Sequence, residues 1–125
     1  MKTKEIPKTE WPKFFDSFTR QHEGWLVNLE IFGSEIGAQI AERQLTLEGI
    51  TDERNGTEGN TIIITMGAKP NDHITHSITY PTGVSLEQTD EGADMALEIK
   101  GKDGATALLR FRSAVMPEMV DAIAT

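Results

Sequence analysis

Two hydrophobic periods divide the chain. Trp11, Phe14, Phe15 and Phe18 recur at helical spacing, and His22 extends their row. Thr9 is the predicted N-cap of this helix, and Glu10 suits the positive end of its dipole. Pro12 falls in the first turn, where its missing N–H does little harm, and Gly24 is a natural terminator. Four of the eight aromatic residues sit on this one segment, so it is expected to lie as a lid on an apolar surface. Residues 1–8, charged and containing Pro7, read as a loosely ordered lead-in.

After Gly24 the period becomes two. Trp25, Val27, Leu29 and Ile31 alternate with Leu26, Asn28, Glu30 and Phe32. Gly33-Ser34 reads as a two-residue hairpin turn. That turn sets Ile31 opposite Ile36, Leu29 opposite Ala38 and Val27 opposite Ile40, with Asn28 against Gln39 on the other face. A separate strand is predicted over Gln44–Ile50, with a bulge at Gly49. Asp52–Asn60 has no apolar residue and reads as an exposed loop. Thr61–Met66, His73–Tyr80 and Val84–Gln88 are further strands, with turns at Lys69–Asp72 and Pro81–Gly83. Lys102-Asp103-Gly104 reads as a three-residue loop with Gly104 in the left-handed conformation. Across it Ile99 faces Ala107, Leu97 faces Leu109 and Met95 faces Phe111, while Asp94 faces Arg112 and Ala96 faces Arg110. Pro117 opens a short helix to Ile123.

The predicted class is α+β, mostly β. An antiparallel meander curls into a small barrel or bent sheet, covered by the N-terminal helix, with a short C-terminal helix. Residues 1–125 read as a single domain without repeats or linkers.

Composition removes classes of chemistry. With no cysteine there is no disulfide, thiol nucleophile or Cys-ligated metal site. No apolar run approaches the roughly 20 residues of a membrane span. Residues 1–9 lack an apolar stretch of the kind a secretory signal needs. A cytoplasmic location is therefore expected. Twelve Lys and Arg against twenty Asp and Glu give a net charge of −8. Residues 1–13 carry +2, so the remaining body carries −10 and is expected to repel nucleic acid and anionic membranes.

Three histidines and two arginines remain as candidates. His73 and His76 resemble a metal pair in one dimension, with His22 as a third ligand if the helix end lies nearby. In a strand, however, residues three apart point to opposite faces, which leaves His76 half-buried on the core face and His73 exposed. No metal is favoured on this reading, since a site needs further convergent ligands. His22 could act as a general base at the helix–sheet junction, or simply complement the helix dipole. Arg110 and Arg112, on one strand face, could fork an anion. The predicted register offers them a competing role, with Asp94 opposite Arg112 and Glu98 diagonal to Arg110. Asp52-Glu53-Arg54-Asn55-Gly56 fails as a calcium loop, and no phosphate-binding or nucleophile-elbow motif is present.

Several segments together resemble a bacterial family of unknown function. They are Trp11-Pro12-x-Phe14-Phe15-Asp16-x-Phe18, His22-x-Gly24-Trp25-Leu26-Val27, Leu47-Glu48-Gly49-Ile50, His73-Ile74-Thr75-His76 and Leu109-Arg110-Phe111-Arg112-Ser113. The resemblance implies a single-domain, stand-alone bacterial protein. It transfers no catalytic residue, cofactor or partner. The leading expectation is a non-catalytic module that binds a ligand, a protein or a second copy of itself, using no cofactor. His22, His76, Arg110 and Arg112 are its candidate binding residues. The alternative is a small enzyme or metal-binding protein. Its site would be His22, His76 and Arg110 at the helix–sheet junction, or a His22, His73 and His76 metal site.

Overall fold

The computed structural model describes residues 2–33, 37–54, 60–69, 72–102 and 104–115. They form one helix and one eight-stranded sheet. In chain order these are β1 (Lys2–Glu5), α1 (Trp11–His22), β2 (Leu26–Gly33), β3 (Gly37–Arg54), β4 (Asn60–Lys69), β5 (Asp72–Thr79), β6 (Pro81–Gln88), β7 (Asp94–Gly101) and β8 (Thr106–Val115). The strand order is β1-β6-β7-β8-β2-β3-β4-β5, and every neighbouring pair is antiparallel. The predicted mostly-β class with an N-terminal helical cover is the observed one. The predicted helix Pro117–Ile123 lies outside the described residues.

The sheet curls without closing. β5 is a sheet edge, yet the next strand in sequence, β6, lies beside the opposite edge. Tyr80 alone joins them. It carries a left-handed φ of 52°, an uncommon conformation for a bulky side chain. Its N–H donates to Asn60 O at 3.1 Å and its carbonyl accepts from Lys102 N at 2.9 Å, which holds the corner. The turn is thus at Tyr80, and Pro81 already begins β6. The curl brings β4 and β5 near β6 and β7. The enclosed face buries Val27, Leu29, Leu47, Ile62, Ile64, Met66, Leu97, Ile99 and Leu109. Trp11, Phe15 and Phe18 of α1 complete that core. Half of the helix residues face outward, and all of these but Pro12 are polar, as one-sided burial requires.

Local departures from the predicted pattern have packing causes. Residues 2–5 are not a loose lead-in: they pair with Ser85–Gln88 as β1. The N-cap of α1 is Glu10, because Lys8–Glu10 form a 3-10 turn that absorbs Thr9. The first hairpin is offset by three residues, with Gly33 opposite Gly37, Phe32 opposite Ala38 and Ile31 opposite Gln39. Two irregularities around Leu29 then bring Val27 opposite Leu45. Burial of Val27 and Leu45 sets this pairing; the turn signal at Gly33-Ser34 is outweighed. Residues 34–36 lie outside the described residues.

β3 runs for 18 residues as one bent strand, where two strands and an early loop were expected. The bend at Gly49 is the predicted bulge. In the last hairpin Ile99–Ala107, Leu97–Leu109 and Ala96–Arg110 pair as predicted, around Gly104 at φ 90°. An irregularity between Asp94 and Ala96 cancels the other two pairs and sets Asp94 opposite Val115. Among the described residues no helix is long and apolar enough to cross a membrane.

Candidate functional site

The helix end is tied to the sheet by its backbone. Gly24, at φ 91°, turns the chain out of α1. Its N–H donates to Leu47 O at 2.9 Å, and Leu47 N–H donates to Trp25 O at 2.9 Å. One turn earlier, Thr19 reaches the bulge of β3. Ile50 N–H donates to Thr19 Oγ1 at 3.0 Å, and that hydroxyl donates to Ile50 O at 3.3 Å. These bonds fix both position and rotation of the last helical turn, and so aim His22 inward.

His22 meets Asp94 there. Its Nε2 lies 2.8 Å from Asp94 Oδ2, and its Nδ1 lies 2.8 Å from the Phe18 carbonyl. The two side chains are 0% and 3% exposed. A carbonyl only accepts, so Nδ1 carries a proton and donates it. The Nε2–Oδ2 bond needs one more proton between nitrogen and carboxylate. The pair therefore holds a proton and is neutral as a unit, whichever atom carries it. Gln88 Nε2 donates to the other carboxylate oxygen at 2.9 Å. Around the imidazole lie three aromatic rings. Phe18 stacks at 4.0 Å, Phe111 stacks at 5.0 Å, and Trp25 meets it edge-on at 4.5 Å. Both ring nitrogens are engaged and the imidazole is fully buried. A general base must reach substrate, and this one is sealed.

The other candidates lie elsewhere. His73 is exposed, with Nδ1 2.7 Å from Glu48 Oε1. His76 is half-buried on the core face, opposite Ile64, as the strand argument predicted. It lines an open groove of about 230 Å³ between β5 and the start of β8, together with Ile31, Ser77–Thr79 and Ala105–Ala107. Phe111, which touches His22, is four residues along β8 from Ala107, roughly 13 Å of strand. Arg110 is on the outer face, where it pairs with Glu30 across β2 rather than with Glu98. Glu98 instead lies 3.6 Å from Lys100.

The proposed triad of His22, His76 and Arg110 is therefore not assembled: one member is sealed in the core, one lines a groove and one faces outward. The His22, His73 and His76 metal set does not converge either, and no cluster of three ligating side chains occurs among the described residues. The Arg112 side chain lies outside the described residues, and the acidic partner expected for it, Asp94, is bound to His22.

Asp94 was missed as a functional partner because it lies 72 residues from His22. The available signal was His22 itself. A histidine on an otherwise aromatic stripe needs a buried polar partner.

Comparison with known proteins adds the family. A family model described as a family of unknown function, DUF5335, matches residues 2–119. An uncharacterised protein of Aquifex aeolicus (strain VF5) is 29% identical over 119 residues, which covers 94% of this chain and all of that one. The crystal structure of the Bacillus subtilis YojF protein aligns with a TM-score of 0.51 at 13% identity, over 93% of this chain and 99% of that one. At that identity the likeness concerns the fold alone. The match across almost the whole sequence means that this chain belongs to the DUF5335 family.

Proposed function

We propose that the protein is a non-catalytic binding module whose contact region is the groove beside β5. The observation that carries this reading is the contrast between the two polar sites. The one acid–base pair in the core among the described residues, His22 with Asp94, is closed to solvent. The open groove offers the imidazole of His76 and the hydroxyls of Ser77, Thr79 and Thr106 among Ile31, Ile78 and Ala107. That mixture suits recognition of a partly apolar, hydrogen-bonding group. Of the four candidate binding residues, His76 is the one that lines this groove. Arg110 pairs with Glu30 on the outer face, and His22 anchors α1. The net charge of −8 argues against nucleic acid as the ligand, and the absence of cysteine agrees with a cytoplasmic setting.

Fragment screening by NMR on uniformly labelled protein tests the reading. Shift changes are expected to cluster at Ile31, His76–Thr79 and Ala105–Ala107. Fragments that gather elsewhere, or stoichiometric zinc, nickel or iron in the purified protein, would refute it.

A further inference from the structure

The two edges of the sheet are unlike. β1 is four residues long and carries Lys2 and Lys4, the charges that discourage pairing with another strand. β5 is eight residues long, and from His73 to Thr79 it has no Lys, Arg, Asp, Glu, Pro or Gly. Among the described strands it pairs with β4 alone. In a chain with 26% charged residues and a net charge of −8, a long uncharged edge invites a pairing partner.

Ladder geometry says which groups that partner meets. Tyr80 N–H donates to Asn60 O, and the register sets Thr61 opposite Thr79. Antiparallel pairs alternate between bonded and non-bonded types. Ile78, His76 and Ile74 therefore direct their backbone groups toward β4, and Thr79, Ser77 and Thr75 direct theirs outward. Residues 76–79 of this strand also line the open groove.

We propose that β5 pairs with β5 of a second copy, antiparallel about a two-fold axis at His76. This rests on the binding reading above and names its partner. The register is self-complementary. Ile74 faces the partner's Ile78 on the core side, which covers the half-buried Ile74. Thr75 faces the partner's Ser77 on the outer side, a favourable hydroxyl pair, and both are backbone-bonded positions. His76 meets its own copy at the non-bonded position on the axis, where side chains approach most closely. A shift of two residues toward the N-terminus would set Ile78 against Asp72 and lose the apolar match. A two-fold contact of this kind is closed, so assembly stops at the dimer.

Light scattering after gel filtration is expected to give about twice the 13.8 kDa chain mass, decreasing on dilution. Ser77→Pro removes an N–H that points away from β4, so the fold stays intact and association weakens at least tenfold. Thr75→Lys, on the exposed face, does the same by charge repulsion across the axis. Lys4→Glu on β1 leaves association unchanged. His76→Cys supplies the only thiol in the chain, and air oxidation is expected to give a disulfide-linked dimer. A monomer at all concentrations without a His76→Cys cross-link overturns the proposal, as does a dimer indifferent to both Ser77→Pro and Thr75→Lys. A monomer whose groove still binds fragments overturns this pairing alone, whereas loss of fragment binding overturns the binding reading.

Discussion

Replacing Asp94 by alanine removes the acceptor that His22 Nε2 and Gln88 Nε2 share. Both partners stay where they are, because Nδ1 remains bonded to Phe18 O and the ring remains packed on Phe18 and Phe111. His22 is then left with an unmatched nitrogen at 0% exposure. Breaking a buried pair by removing one member costs about 3–5 kcal/mol. Loss of the Gln88 bond adds about 1 kcal/mol. A chain of this size gains roughly 0.26 kcal/mol per kelvin of unfolding entropy near its midpoint. A loss of about 5 kcal/mol therefore lowers Tm by about 19 °C.

Asparagine at the same position separates hydrogen bonding from charge. Its amide can donate to an unprotonated Nε2 while its carbonyl accepts from Gln88. Every bond of the network is then kept with a neutral imidazole, so Asp94→Asn is expected to cost about 1 kcal/mol. Urea unfolding followed by tryptophan fluorescence measures both variants, since Trp11 is 1% exposed in the fold. An Asp94→Ala midpoint within 1 kcal/mol of the parent would refute the buried-pair argument. Equal damage from Asp94→Asn and Asp94→Ala would refute the proton count, and would mean that charge rather than bonding holds the contact.

Other substitutions test the anchoring of α1. Thr19→Val keeps the shape but leaves the Ile50 N–H without its acceptor, and is expected to cost about 1–3 kcal/mol in the same urea assay. Gly24→Ala meets no neighbouring atom within 4 Å, so its cost of about 1 kcal/mol comes from the φ of 91° alone, and calorimetry should detect it. Arg110→Ala breaks an exposed pair with Glu30 and is expected to change stability by less than about 0.5 kcal/mol, with little dependence on salt above physiological strength.

Legibility in the sequence followed the range of the interaction that decided each feature. The aromatic row of α1, its end at Gly24, the bulge at Gly49 and the loop at Gly104 depend on neighbours a few residues away, and were readable. The first hairpin differs from the expected register because its turn signal is local while its register is set by burying Val27 against Leu45 farther along the strands. Alternation alone could not reveal that slip, because the flanking residues Glu30, Ile31 and Phe32 are all half-buried. The strand period did separate His73 from His76 correctly. The His22–Asp94 bond was invisible for the opposite reason: it spans 72 residues and depends on an irregularity beside Asp94.

That irregularity also links the sealed pair to the open groove. In an unbroken ladder Asp94, Ala96 and Glu98 would share one face, and Asp94 would project outward with Arg110's strand-mates. The slip between Asp94 and Ala96 reorients Asp94 toward the core, where His22 receives it. The helix is thereby pinned over the end of the sheet that holds Val27 and Phe111. Further along the same strands, at Ile31 and Ala107, α1 supplies no lining residue, and the opening beside β5 is bounded by sheet residues and Ala105. Restoring an unbroken ladder at Asp94 would withdraw the carboxylate from His22 and loosen α1, but would leave the β5 edge and its hydroxyl row unchanged. The two ends of the sheet are thus separable by mutation, so loss of stability and loss of partner binding should fall on different residues.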